Sequence, residues 1–215
     1  MTTLIINEIF HSIQGESTHT GRPCVFIRLA YCNLRCVWCD TAYAFEEGRG
    51  MPLEAILAAV EKTGCRLVEV TGGEPLMQEG VGELFTALCD RGYETLVETG
   101  GSLPIGAIDR RVKRIVDFKC PASGMEKKNL WENARLLTAG DEVKFVVADR
   151  ADFDWALARI REMDFDGRIP VLISPVFGVL EPAQLAEWLI ASGLRGARLQ
   201  LQTHKYIWEP SLRGV

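Results

Sequence analysis

The chain lacks the features that mark a membrane protein, an exported protein or a nucleic-acid binder. No apolar run in its 215 residues approaches the ~18 needed to span a bilayer. Asn7 and Glu8 stand where the apolar stretch of a signal peptide would lie, so a cytoplasmic location is expected. Positive charge is not in excess: 24 Lys and Arg against 29 Asp and Glu give a formal net charge of -5. That balance excludes a protein holding phosphates over its whole surface, and no direct nucleic-acid partner is expected. There is also no internal repeat, low-complexity tract or Pro/Ser-rich linker, so residues 1–215 are expected to form a single domain. What is present is ordinary globular usage, 47% hydrophobic and 25% charged. A chain of this length buries about 70% of its unfolded surface and needs no disulfide staples. Seven cysteines, an odd number, therefore call for an explanation, the more so as three fall in the segment Cys32–Cys39.

The hydrophobic pattern alternates between two periods. Short β-rich segments are predicted at Leu4–Phe10, Cys24–Leu29, Arg66–Thr71, Glu94–Glu98, Arg114–Phe118, Glu142–Val147, Pro170–Ser174 and Arg198–Gln202. Helical patterns are predicted at Pro52–Lys62, Gly82–Asp90, Leu130–Thr138, Asp152–Met163 and Pro182–Ser192. The first of these opens on a proline, aligns Leu53, Ile56, Leu57 and Val60 on one face, and stops before Gly64. Strand, helix and strand in succession predict an α/β fold with a mostly parallel sheet. Both faces of such a sheet are expected to be covered, in keeping with the runs Leu67-Val68-Glu69-Val70 and Lys144-Phe145-Val146-Val147. A complete eightfold barrel takes about 250 residues, so an open, partial parallel β/α barrel is the better match. Reactive groups then belong at the carboxyl ends of the strands.

The cysteines Cys32, Cys36 and Cys39 follow the predicted strand Cys24–Leu29 with the spacing C-x3-C-x2-C. Three soft thiolates this close suit a transition metal or an iron–sulfur cluster. A closed structural zinc site would need a fourth ligand. His11, His19 and Cys65 are the nearest candidates, each separated from the loop by at least one predicted element or loop. Three thiolates on a four-iron cluster leave one iron open for an exogenous ligand. The bland alternative is three buried small hydrophobes. At the next strand end comes Thr71-Gly72-Gly73-Glu74-Pro75, where two glycines allow close backbone approach and a carboxylate can accept from an ammonium group. The same residues also make an ordinary turn. Later strand ends carry Glu98-Thr99-Gly100-Gly101, Asp117-Phe118-Lys119-Cys120-Pro121, Ser174-Pro175 and Gln202-Thr203-His204-Lys205.

The cysteine loop closely resembles the cluster-binding signature of the radical S-adenosylmethionine (SAM) superfamily, with the aromatic Trp38 before its last cysteine, and Gly72-Gly73-Glu74-Pro75 resembles that superfamily's SAM-binding segment. The segment Asn7–Ser17 and Thr20-Gly21-Arg22-Pro23 is similar to the amino-terminal segment of the 7-carboxy-7-deazaguanine synthases, radical SAM enzymes of queuosine-precursor (7-deazapurine) biosynthesis. The likeness continues colinearly through Phe26-Ile27-Arg28-Leu29, Cys39-Asp40-Thr41, Glu98-Thr99, Lys119-Cys120-Pro121 and Gln202–Tyr206.

This resemblance implies a lyase that converts 6-carboxy-5,6,7,8-tetrahydropterin to 7-carboxy-7-deazaguanine and ammonia, by way of a 5′-deoxyadenosyl radical and with SAM regenerated. It implies a [4Fe–4S] cluster on Cys32, Cys36 and Cys39, and Mg²⁺ on Thr41. SAM contacts are implied at Trp38, Cys39, Asp40, Gly73, Glu74, Asp117, Phe118, Lys119 and Ser174, the last within a segment that matches the family loosely. Substrate contacts are implied at Ile13, Gln14, Gly15, Arg28, Thr71 and Pro210, although the chain continues past Pro210. Arg28 has an independent argument: a guanidinium among apolar strand residues needs an anion, supplied by a substrate carboxylate or by a protein one. Hard Mg²⁺ wants oxygen ligands, and the sequence offers no acidic cage for it. A flavodoxin or ferredoxin as electron donor and a homodimer also belong to the family picture. Two other readings share the thiolates, a glycyl-radical-enzyme activase and a non-catalytic metal- or redox-sensing protein. Cys24, Cys65 and Cys89 are read as packing residues, and Cys120 as part of the SAM-facing turn.

Overall fold

A computed structural model describes residues 2–215 as one nine-stranded sheet flanked by helices. The strands are β1 (Thr3–Ile13), β2 (Pro23–Leu29), β3 (Arg49–Pro52), β4 (Leu67–Gly72), β5 (Glu94–Thr99), β6 (Lys113–Asp117), β7 (Glu142–Val147), β8 (Val171–Pro175) and β9 (Ala197–Leu199). Their order is β3-β1-β2-β4-β5-β6-β7-β8-β9. Every neighbouring pair from β2 to β9 is parallel, whereas β1 runs antiparallel to both β2 and β3. The sheet curls without closing, as an open barrel should.

Four α-helices cover the convex side: α1 (Leu53–Glu61), α2 (Val81–Asp90), α3 (Arg150–Glu162) and α4 (Pro182–Ala191). The α2 helix buries Val81, Leu84, Phe85 and Leu88, the i, i+3, i+4, i+7 stripe that dictates its orientation. In α3 the first turn is capped by Asp149, whose side chain accepts from the amide of Asp152 at 2.9 Å. A fifth helix, α5 (His204–Ile207), is a single turn.

The apolar half of the alternation faces these helices. Val25, Ile27 and Leu29 of β2, Val68 and Val70 of β4, and Val143, Phe145 and Val147 of β7 belong to one core with α1–α4. The intervening residues face the barrel interior. Its floor is apolar, built from Cys24, Phe26, Leu67, Leu96 and Ile115.

Several expectations are corrected. The second face of the sheet is not packed under helices: Glu69 and Lys144, inside otherwise apolar runs, point into the barrel and line a cavity. The predicted helix Leu130–Thr138 is instead a 3-10 turn over Trp131–Leu136. Asn133 explains it, because its buried amide bonds the backbone of Gly101, Leu103 and Ile105 at 2.9–3.2 Å, and Trp131 stacks on Phe118 at 4.6 Å. These contacts hold the segment flat on the core more firmly than helix propensity could wind it. The short strand β3 was not predicted, and β9 ends at Leu199, so Gln200–Gln202 lie beyond it, with Gln202 on the cavity.

Candidate active site

The cysteine loop leaves the carboxyl end of β2 through Tyr31, whose φ of 75° is unusual for a residue with a side chain. Its backbone is held on both sides: the Tyr31 amide donates to the Ala44 carbonyl at 2.8 Å, and its carbonyl accepts from the Glu74 amide at 2.7 Å. The Gly72–Gly73 turn at the end of β4 thus packs directly on the loop. Gly72 has a φ of 141°, and a Cβ on Gly73 would stand 2.5 Å from the Tyr31 carbonyl carbon and 3.0 Å from the Cys32 Cβ. Only glycines fit here.

Cys32, Cys36 and Cys39 are half-buried, unpaired and open onto one cavity of about 620 Å³. Burial pushes the Cys32 and Cys36 thiols up, with Lys119 pulling Cys36 the other way. Metal binding replaces those protons. Asp40, next to Cys39, is tied to Lys205 at 2.6 Å. Burial alone would raise its carboxyl, but the Lys205 ammonium prevails and brings it to about 2.

Successive strands supply a charged belt above the apolar floor. Glu69 (β4), Glu98 (β5), Asp117 (β6) and Lys144 (β7) line the cavity together with Glu16 from the β1–β2 loop. Lys144 bonds Glu98 at 2.8 Å and also bonds Glu16. Burial works against its charge, yet the two carboxylates hold its pKa well above the usual lysine range. Glu69 accepts from the Gln14 amide; burial first, then the charges of Glu98 and Glu16, push its carboxyl well up. Lys119 is paired with Asp117 at 2.8 Å through Oδ2, while Oδ1 of Asp117 is buried with no partner.

At the opposite wall Arg28 lines the cavity and pairs with Glu8 at 2.7 Å. The protein carboxylate considered as an alternative is thus present, on the Nε edge of the guanidinium only. Pro210 and the five residues after it run along the cavity mouth, with the Arg213 guanidinium stacked 3.7 Å above the Tyr43 ring.

The structure brings Ile13, Gln14, Gly15, Arg28, Trp38, Asp40, Thr41, Thr71, Gly73, Asp117, Lys119 and Pro210 onto the same cavity as the three cysteines. Three expected contacts lie elsewhere. Glu74 is fully buried, and its carboxylate accepts from Thr99 Oγ1 at 2.8 Å, the Gly100 amide at 2.8 Å and the Leu76 amide at 3.1 Å. It buttresses the glycine turn from behind and is not part of the cavity lining. The Phe118 side chain lies on the helix side, stacked with Trp131, because it is out of phase with Asp117 and Lys119. Ser174 is buried with its Oγ unpartnered, outside the cavity wall. Cys120 points into the core, as a packing residue. Residues with no expected role also line the site: Glu16, Glu69, Lys144, Lys205 and Tyr43. The signal for Glu69 and Lys144 was a lone charge at the inward position of an apolar strand.

The side chains fit the expected groups. Three thiols on one loop suit a four-iron cluster, in which each thiolate meets its own iron. A single ion would need convergence, and among the described residues no three His, Cys, Asp or Glu side chains gather to hold one. The glycine cradle and the orphaned Asp117 oxygen suit a polar ligand pressed against the turn. The Thr41 hydroxyl, 3.8 Å from Cys39 Sγ, offers a hard oxygen donor at the cavity wall.

Comparison with known proteins agrees with this geometry. The Radical SAM superfamily model matches residues 27–173. A 7-carboxy-7-deazaguanine synthase of Chlorobaculum tepidum is 47% identical over 215 residues, covering 99% of this chain and 97% of its own. The enzyme of that name from Koribacter versatilis is 43% identical, covering 98% and 99%. Among solved structures, the crystal structure of QueE from Escherichia coli shares the fold with a TM-score of 0.74 at 24% identity, covering 92% of this chain and 94% of that one. Among the described residues no helix is long and apolar enough to cross a membrane.

Proposed function

Because the chain belongs to the 7-carboxy-7-deazaguanine synthases of the radical SAM superfamily, we propose that it converts 6-carboxy-5,6,7,8-tetrahydropterin to 7-carboxy-7-deazaguanine and ammonia. One observation carries the reading: a single cavity has the three thiols and the glycine turn on one wall and an arginine with open terminal nitrogens on the other. When bound, the [4Fe–4S] cluster and SAM supply the 5′-deoxyadenosyl radical, and Mg²⁺ supplies a hard cation for the substrate carboxylate.

The chain's own residues position and shield. Cys32, Cys36 and Cys39 would hold the cluster and Thr41 the Mg²⁺. Gly73, Trp38, Asp40 and the Asp117–Lys119 pair would hold SAM, with Glu74 fixing the turn through Thr99 and Gly100. Arg28 would take the substrate carboxylate in a charge-assisted, bidentate contact. The Glu16 and Glu98 carboxylates would offer acceptors to the amino-pyrimidine edge, and Lys144 keeps that belt from being purely acidic. The strap after Pro210 would cover part of the mouth over the bound substrate. The reading includes a cytoplasmic homodimer drawing electrons from a flavodoxin or ferredoxin.

The test is anaerobic incubation of reconstituted protein with SAM, reductant and 6-carboxy-5,6,7,8-tetrahydropterin. One ammonia per 7-carboxy-7-deazaguanine is expected, and absence of both overturns the proposal. Cys36→Ala should abolish the iron–sulfur absorbance and turnover together. Turnover surviving that substitution would remove the cluster assignment.

A further inference from the structure

Arg28 is more tightly specified than a substrate ligand alone requires. Glu8 and Arg28 are register partners across the antiparallel β1–β2 ladder, which brings their side chains together on the barrel's inner face. Arg28 Nε donates to Glu8 Oε1 at 2.7 Å, and the Tyr43 hydroxyl donates to the same oxygen at 2.9 Å. The guanidinium carbon lies 5.8 Å from the Phe10 ring centre and 6.0 Å from that of Tyr43. Phe10 is stacked on Phe26 at 4.9 Å, and Tyr43 is covered by Arg213, so neither ring is free to turn away. Arg28 is part of the cavity wall and Glu8 is not. Neither terminal nitrogen of Arg28 has an acceptor among the described residues.

A guanidinium can grip a carboxylate side-on, through Nε and one Nη, or end-on, through both Nη. Glu8 occupies the Nε edge from behind the wall, which leaves the end-on edge. We propose that Glu8 is a positioning residue that turns Arg28 so that its two terminal nitrogens face the cavity and receive the substrate carboxylate end-on. The proposal rests on the reading of the cavity given above. It adds that the choice of a carboxylated pterin depends on a residue that never touches it. Because Glu8 also neutralises Arg28, this choice comes from orientation more than from net charge. Tyr43 shares the work by holding the Glu8 oxygen.

Dissociation constants on the cluster-loaded, SAM-bound enzyme without reductant provide the test. Two ligands are compared, 6-carboxy-5,6,7,8-tetrahydropterin and the tetrahydropterin lacking the carboxyl group. Glu8→Ala should weaken the carboxylated ligand by about 10- to 100-fold and leave the other within about twofold. In turnover the loss should appear in KM, with kcat little changed. Glu8→Asp keeps the charge but withdraws it by one methylene, and should lose the preference in the same way if the alanine variant does not fold. Glu8→Gln retains an acceptor for Nε and should keep most of the preference. Equal weakening of both ligands, or a preference unchanged in Glu8→Ala or Glu8→Asp, would overturn the positioning role. A wild-type enzyme with no preference for the carboxylated ligand would overturn the cavity reading itself.

Discussion

At Gly73 a hydrogen atom stands where any side chain would collide with the Tyr31 carbonyl. The consequence is local and testable. Gly73→Ala must push the β4 turn off the cysteine loop, lowering stability by about 1–3 kcal/mol and reducing iron retained after reconstitution. Denaturant unfolding and iron analysis measure the two effects; a variant with normal iron content and stability would show that the turn has slack. The neighbouring Glu74 shows the limit of reading residue types. Gly-Gly-Glu-Pro is compatible with a carboxylate aimed at a ligand or at the backbone. The choice follows from the Thr99 hydroxyl and Gly100 amide, which belong to the next strand end. Short motifs specify what a backbone can do; the partner across the sheet decides which option is taken.

Along a strand the period of two separates core from cavity. In β4, Val68 and Val70 pack under the helices while Glu69 and Thr71 face inward. A run such as Leu-Val-Glu-Val reads as buried on both faces, and both faces are indeed out of bulk water. Only curvature makes one of them a ligand chamber. Glu69 carries a cost from this placement, since burial and its acidic neighbours raise its carboxyl well above 4.5. Folded Glu69 therefore binds its proton more tightly than in the unfolded chain, and its contribution to stability falls as pH rises above about 4.5. Glu69→Gln does not titrate and keeps a partner for Gln14. Its stability relative to wild type should increase progressively above that pH and show little change below it, as melting temperatures across a pH series would reveal. A difference independent of pH would mean that Glu69 titrates in the fold as it does in the unfolded chain. The 3-10 turn at Trp131–Leu136 teaches the same lesson at element scale, because Asn133 makes long-range bonds that no periodicity records.

The whole molecule is an open barrel whose lower end is stopped by its own chain. Residues 14–22 cross beneath the strands: Thr18 bonds Glu142 at the start of β7, while His19 and Arg22 bond Glu94 at the start of β5, at 2.9 Å and 2.6 Å. The Arg22 hydrogen bonds lead, against burial and with help from His19, in bringing the Glu94 carboxyl down to about 2. Its stabilising effect is thus complete above about 4.5 and disappears as pH falls to about 2. Glu94→Gln should cost about 1 kcal/mol or less at neutral pH, as befits a half-exposed pair, and the gap from wild type should close through that acid range. Unfolding midpoints of the two proteins measure it, and a gap that persists unchanged at low pH would contradict the role of the ion pair.

The sequence by itself determined the α/β alternation, the parallel strands, the cysteine loop and the glycine turn. Those depend on local periodicity and on fixed spacings within one segment. Only the tertiary structure decided that the Glu74 carboxylate turns to Thr99 and Gly100, that Glu16 reaches Lys144 from the β1–β2 loop, and that Glu8 stands behind Arg28. Those outcomes depend on sheet curvature and on partners dozens of residues away, which no local pattern encodes.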